Sequence, residues 1–95
     1  MTGLAPLTLH AAARWLERVE GMTQADAIAA APLRYGEVCG KVLTPTICEA
    51  IKAGAAGVRI PPIWLMIEDR RIVTVLGEGQ RPKNKTRRRA VEIAA

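Results

Sequence analysis

The chain has 95 residues, of which 49% are hydrophobic and 3% aromatic, and it carries a net charge of +5. A chain of this length buries roughly 60–65% of its unfolded surface, which supports one hydrophobic core and argues against a large enzyme or a multidomain receptor. We expect a cytoplasmic protein, because no uncharged stretch is long enough to span a membrane and no basic residues precede the first apolar ones as in a signal peptide.

The N-terminal half begins with signals for a leader and two helices. Residues 1–7 lack periodicity and are predicted to be a loose leader. Thr8 is predicted to cap a first helix, because its hydroxyl can accept hydrogen bonds from the free amides of the first turn, and apolar residues follow at helical spacing over 9–19. Thr23 is predicted to cap the second helix, with Asp26 three residues later as in a capping box.

Pro32 is predicted to end the second helix, since proline removes a hydrogen-bond donor and clashes with the preceding turn. A third helix is then predicted over residues 33–43. Thr44-Pro45 is a strong signal for the start of a fourth helix, because proline is favoured at the first helical position. Residues 1–57 are therefore predicted to form a helical region of about four helices.

Residues 19–43 have the spacing of a helix-turn-helix motif. The first helix of that motif needs a small residue where the second helix crosses it, and Ala27 is such a residue. Leu33 can fill the apolar position after the turn, and Val38 and Val42 can anchor the second helix. The outward face of this second helix would then be free to enter the major groove of DNA.

The same stretch resembles the helix-turn-helix of the TrfB-type plasmid repressors. The resemblance is carried by the run Gly21-Met22-Thr23-Gln24-Ala25-Asp26-Ala27 after a helix ending in Val19, and it covers about residues 11–45. It implies a small homodimeric transcriptional repressor, encoded on a plasmid or phage, that binds duplex DNA with its second motif helix.

Two apolar runs, residues 63–67 and 72–76, flank a polar break and predict a β-hairpin within residues 58–79. Both faces of these strands are apolar, so we expect one face to cover the helices and the other to meet a second copy of the chain. The residues predicted to supply the core and the dimer interface are Ile63, Trp64, Leu65, Ile67, Ile72, Val73 and Val75. The predicted fold is therefore mainly α, a helix-turn-helix bundle with a small β-hairpin.

The excess positive charge lies near the C-terminus. Residues 1–57 hold five basic and five acidic groups, whereas residues 58–95 hold nine basic and four acidic groups. Residues 80–95 are predicted to form a mobile basic arm that binds a polyanion. Six cations are concentrated there, namely Arg81, Lys83, Lys85, Arg87, Arg88 and Arg89.

Five further residues are predicted to contact DNA. Arg34 is the candidate for a bidentate contact with a base, whereas Tyr35 and Lys41 can reach phosphates. Thr23 and Gln24 can meet a phosphate at the N-terminus of their helix. The alternatives are that Arg34 and Lys41 are ordinary solvated charges and that Thr23 acts only as a cap.

Catalysis, metals and cofactors are not expected. His10, Cys39 and Cys48 are too few and too scattered for a zinc site, and neither cysteine has an evident base near it in the sequence. We therefore expect a binding protein with two reduced thiols. The alternative to a repressor is a small phage-type inhibitor or adaptor that binds a host protein or ribonucleoprotein.

Overall fold

The computed structural model describes residues 5–93 and shows an alpha/beta fold, with 47% helix and 22% strand. The helices are α1 Leu9–Arg18, α2 Gln24–Val42, α3 Pro45–Lys52 and α4 Asn84–Arg88. The strands are β1 Gly57–Ile60, β2 Ile63–Glu68, β3 Arg71–Leu76 and β4 Ala90–Glu92, which form one sheet in the order β3-β2-β1-β4. The prediction of a mainly α bundle with a small hairpin is wrong.

Threonine caps start the first three helices, as the sequence predicts. The hydroxyl of Thr8 accepts from the amide of Ala11 at 3.0 Å, and the hydroxyl of Thr23 accepts from the amide of Asp26 at 3.1 Å. Thr44 caps α3 in the same way, with Pro45 at its first position. These starts depend on side chains within three residues of the helix end, so local chemistry is enough to set them.

Helix α2 continues through Pro32 from Gln24 to Val42, so the predicted turn at Pro32 does not form. Proline lacks one backbone donor, but the buried side of α2, with Ala27, Ala31 and Val38, packs against α1 on both sides of that position. Tertiary packing therefore outweighs the local penalty of proline. The predicted helix-turn-helix is absent from residues 5–93, and the TrfB resemblance stays a hypothesis from sequence alone.

The hairpin of β2 and β3 is confirmed, with Leu65 opposite Val75 and Trp64 opposite Leu76. Two strands were not predicted. Strand β1 pairs antiparallel with β2, and β4 pairs in parallel with β1. Both are short, and the pairing of β4 joins segments more than thirty residues apart, so neither leaves a clear local pattern.

One hydrophobic core lies between the sheet and helices α1–α3. The leader contributes to it, since Leu7 is buried and residues 6–8 lie along β3, where the amide of Thr8 donates to the carbonyl of Ile72 at 3.0 Å. The prediction of a loose leader is therefore wrong from Ala5 onward, and residues 1–4 lie outside the described residues. The inward strand residues of the core are Val58, Leu65, Ile67, Ile72 and Val75.

Helix α4 lies against the outer face of the sheet at Gly57. Gly57 lies in register with Met66, and a Cβ on Gly57 would lie 3.3 Å from the Thr86 side chain in α4. Glycine at this position therefore lets α4 approach the sheet closely. Pro82 is buried in the same segment. This segment contains α4 and adds β4 to the sheet, which corrects the prediction of a mobile arm.

The residues assigned to the dimer interface are buried or partly buried within one chain. Four of the seven residues assigned to the dimer interface, namely Leu65, Ile67, Ile72 and Val75, are buried within one chain. Ile63, Trp64 and Val73 are partly buried. The inner side of the strands packs on the helices, and α4 contacts the outer side at Gly57.

Candidate nucleic-acid interface

Arg34 and Lys41, predicted to contact DNA, lie in an ion network with two carboxylates. Arg34 donates to the Glu20 carboxylate at 2.9 and 3.0 Å and also to Glu37. Lys41 donates to Glu37 at 3.1 Å and to Glu20 at 3.4 Å. Two cations and two anions balance within the network, so it offers little attraction to a phosphate.

The charges within this network stabilise one another. Hydrogen bonds from Arg34, and then from Lys41, lower the pKa of Glu37 to about 2. The hydrogen bond from Arg34 also lowers the pKa of Glu20. Hydrogen bonds from Glu37 and Glu20 in turn raise the pKa of Arg34. The network therefore ties the chain after α1 to the middle of α2, which is a structural role.

The other three predicted contacts near α2 are placed differently. Tyr35 is partly buried and its hydroxyl donates to the carbonyl of Leu7, while burial raises its pKa. Thr23 is engaged as the helix cap. Gln24 is exposed at the start of α2, beside the acidic Asp26. The structure does not bring Thr23, Gln24, Arg34, Tyr35 and Lys41 together as one basic surface.

The six cations between Arg81 and Arg89 are all exposed. Within residues 5–93 none of the six forms an ion pair with a carboxylate. We call these six residues, Arg81, Lys83, Lys85, Arg87, Arg88 and Arg89, the basic surface. Their charges are therefore available to an external anion, in contrast to those of the network on α2.

The segment that carries the basic surface is held at both ends. On its N-terminal side, the Gln80 side chain accepts from the amide of Gly77 at 2.7 Å, and Pro82 is buried. On its C-terminal side, the amide of Ala56 donates to the carbonyl of Arg89 at 3.0 Å. The short helix α4 between these points presents Lys85, Arg87 and Arg88. The cations are thus displayed on an ordered support.

Two of these arginines are oriented by neutral acceptors. The Arg89 guanidinium donates to the carbonyl of Gly54 at 3.0 Å, and the Arg87 guanidinium donates to the side chain of Asn84. Such bonds restrict the side chain without neutralising it, so less conformational entropy is lost when an anion binds.

A cavity of about 310 Å³ opens beside the basic surface. The Arg59 guanidinium lies 5.8 Å from the centroid of the Trp64 ring and 3.4 Å from the Glu92 carboxylate. The cavity is lined by Arg59, Trp64, Arg81, Arg87, Val91 and Glu92.

Sequence reasoning missed Arg59 and Glu92 and assigned Trp64 to the dimer interface. The alternation of apolar Val58 and Ile60 with charged Arg59 is a weak local signal that could have identified a strand here. The meeting of Arg59 with Glu92 depends on the parallel pairing of β1 with β4, which no local pattern shows.

Residues 5–93 show no sign of a metal site, a membrane-spanning helix or a disulfide bond. That part of the chain contains no group of three or more histidine, cysteine or acidic side chains that could hold a metal ion. Nor does it include a helix with the length and apolar character needed to cross a membrane. Both cysteines are free thiols.

Comparison with protein-family models, with curated proteins and with solved structures finds no match to this chain. Support for a function therefore comes from the basic surface and the cavity beside it.

Proposed function

We propose that the protein binds nucleic acid, with duplex DNA as its ligand, through the basic surface. The observation that carries the proposal is the display of six exposed cations that have no carboxylate partner within residues 5–93. Arginine and lysine side chains bind backbone phosphates and release condensed counterions, and this electrostatic gain does not depend on base sequence.

As in the expectation from the sequence, the proposed ligand is DNA, but the proposal includes no helix that reads bases. With α2 continuous and Arg34 bound to Glu20 and Glu37, no second motif helix is free to enter the major groove. A role in transcriptional repression, as expected from the sequence, would then act by occupying DNA in the cytoplasm rather than by reading an operator through Arg34.

The test is a titration of a fluorescent duplex of random sequence over a range of salt concentrations. Contacts with about six phosphates give a log–log salt slope near −5. The double variant Lys83→Ala/Lys85→Ala should bind more weakly and reduce the magnitude of that slope by about 2. A matched control, Arg14→Ala/Lys52→Ala, removes the same charge from α1 and α3.

The control should keep the wild-type slope. Equal losses in the two double variants would show that net charge, and not the basic surface, attracts DNA. Wild-type protein that does not bind duplex DNA even at low salt would contradict the proposal.

A second candidate function is binding to a protein partner as a small inhibitor or adaptor. It is favoured by two exposed apolar side chains of α2, since Leu33 is 87% exposed and Ile28 is 58% exposed. If neither duplex DNA nor RNA binds at low salt, this candidate takes the place of the first. A Leu33→Ser variant with unchanged DNA affinity would show that Leu33 is not needed for DNA binding and remains available to a protein partner.

A further inference from the structure

The cavity beside the basic surface combines three guanidinium groups with an indole ring. Arg59, Arg81 and Arg87 contribute three positive charges and Glu92 contributes one negative charge, so the lining carries a net charge of +2. Its volume of about 310 Å³ lies at the lower end of the range typical of pockets for small ligands, roughly 300–1,000 Å³.

We propose that this cavity binds one nucleotide that carries a terminal phosphate. The nucleotide is supplied either by the end of a nucleic-acid strand or by a free nucleotide. The inference rests on the proposed function, because it adds a site for strand ends next to the surface that holds the backbone.

The charge of the lining suits a terminal phosphate. A phosphate monoester carries about −1.5 to −2 at neutral pH, whereas a backbone phosphodiester carries one negative charge. The planar fork of arginine bonds two phosphate oxygens at once. Arg87 lines the cavity from α4, and Arg81 lines it from the segment before α4. A dianion would balance the net charge of +2, and a diester would leave half of it unbalanced.

The apolar part of the lining suits an unpaired base. Bases inside a duplex are paired and stacked and cannot reach a protein pocket without being extruded. A base at a strand end, or in a free nucleotide, can pack against the indole of Trp64 and the exposed side chain of Val91. The Arg59 guanidinium lies 5.8 Å from the centroid of the Trp64 ring and so keeps a positive charge near the indole.

Glu92 lowers the affinity of this site for anions. Its carboxylate lies 3.4 Å from Arg59 and therefore competes with an incoming phosphate for that guanidinium. Its negative charge also repels the phosphate, so removing this charge should strengthen binding.

The experiment uses Trp64 as a reporter. The chain has two tryptophans, so Trp15→Phe leaves Trp64 as the only one. Titration of this variant with thymidine 5′-monophosphate at low salt should change the Trp64 emission in a saturable way. Thymidine lacks the phosphate and inorganic phosphate lacks the base, so each should bind at least about tenfold more weakly.

Variants in the same Trp15→Phe background separate the site from net charge. Arg81→Ala and Arg87→Ala should each weaken nucleotide binding about tenfold or more, because each loses charge-assisted hydrogen bonds. Lys52→Ala, which removes the same charge from α3, should bind as before. Glu92→Gln should bind several-fold more tightly. Circular dichroism spectra confirm that each variant is folded.

Duplexes distinguish the source of the nucleotide. Tighter binding to a duplex with 5′-phosphate ends than to the same duplex with 5′-hydroxyl ends assigns the site to strand ends, whereas equal binding assigns it to free nucleotides. The cavity proposal is overturned if the monophosphate leaves Trp64 emission unchanged, or if Lys52→Ala weakens binding as much as Arg81→Ala. In that case continued binding of a closed circular duplex, which has no ends, would still support the proposed function. Nucleotide binding without duplex binding would support the nucleotide site and contradict the proposed binding of duplex DNA.

Discussion

Arg34 lies between two carboxylates from different parts of the chain, Glu20 after α1 and Glu37 one turn further along α2. At the scale of single residues its partners decide its role, because a guanidinium already bonded to two carboxylates has little attraction left for a phosphate. Lys41 completes the network and also lies 5.5 Å from the centroid of the Trp15 ring. These contacts connect the surface of α2 to α1.

We expect Arg34→Ala to lower the melting temperature while leaving the affinity for duplex DNA nearly unchanged. The substitution leaves Glu20 and Glu37 facing each other with only Lys41 between them. Thermal unfolding followed by circular dichroism, with DNA titrations at fixed salt, checks both parts. A loss of DNA affinity with an unchanged melting temperature would restore Arg34 as a DNA contact.

The depressed pKa of Glu37 predicts a loss of stability in acid. In the folded chain its pKa is about 2, against an ordinary value of 4.5. Between these values the unfolded chain binds more protons than the folded chain, so the network stabilises the fold above about pH 5 and this contribution is lost as the pH falls towards 2. The lowered pKa of Glu20 acts in the same direction.

Urea unfolding at several pH values measures this effect. Glu37→Gln should reduce the decrease of the unfolding free energy with acid, because the group that gains the proton is gone. Glu49→Gln removes an exposed carboxylate of α3 and should follow the wild-type profile. If Glu37→Gln loses stability in acid as steeply as wild type, the network does not govern this pH dependence.

At the scale of elements, α2 carries a proline in its interior. Pro32 is exposed, lacks an amide donor, and lies where the carbonyl of Ile28 would otherwise accept a hydrogen bond. We expect Pro32→Ala to raise the unfolding free energy by about 1–3 kcal/mol, since alanine restores the donor and removes the clash. Denaturant unfolding provides the measurement. A decrease in stability would indicate that a proline-dependent bend is needed in this helix.

The turn between β2 and β3 is a second strained element. Asp69 and Arg70 both have positive φ values, 52° and 60°, in the two-residue connection of the hairpin. Glycine adopts this conformation without the steric penalty of a side chain, so Arg70→Gly should stabilise the protein by about 1 kcal/mol. Arg70→Ala removes the same charge but keeps the strained backbone, and should give no such gain. Equal effects of the two substitutions would show that charge, and not backbone strain, is responsible.

At the scale of the whole molecule, the C-terminal segment belongs to the fold. Residues 80–93 add β4 to the sheet and place Thr86 against Gly57, and Pro82 is buried. We expect the full chain to sediment as a monomer of 10.3 kDa. A chain ending at Gly79 loses β4, which leaves β1 as an unpaired edge strand, and should associate or lose cooperative unfolding. A stable, monomeric truncated chain would mean that the segment is dispensable, as for a mobile arm.

The sequence allowed part of the candidate interface to be predicted. The six cations of the basic surface are adjacent along the chain, so their density is visible without a structure. The ion network of Arg34 and Lys41 was not predicted, because the carboxylate of Glu20 that engages both lies 14 and 21 residues away in sequence. Arg59 was missed because its neighbours Trp64 and Glu92 are brought to it by β2 and β4.

By itself the sequence determined the features that depend on a few adjacent residues. Helices start at the threonine caps Thr8, Thr23 and Thr44, and the apolar runs around residues 68–71 pair as a hairpin. Capping and turn formation satisfy backbone groups within one turn of the chain, so the residue types present locally are sufficient.

Only the tertiary structure decided the continuity of α2 through Pro32, the addition of β1 and β4 to the sheet, and the position of α4 against it. Each of these outcomes depends on contacts between residues far apart in sequence, such as Gly57 and Thr86. Packing against α1 offsets the local cost of a proline, and the pairing of β4 with β1 helps to offset the entropy of ordering a highly charged segment.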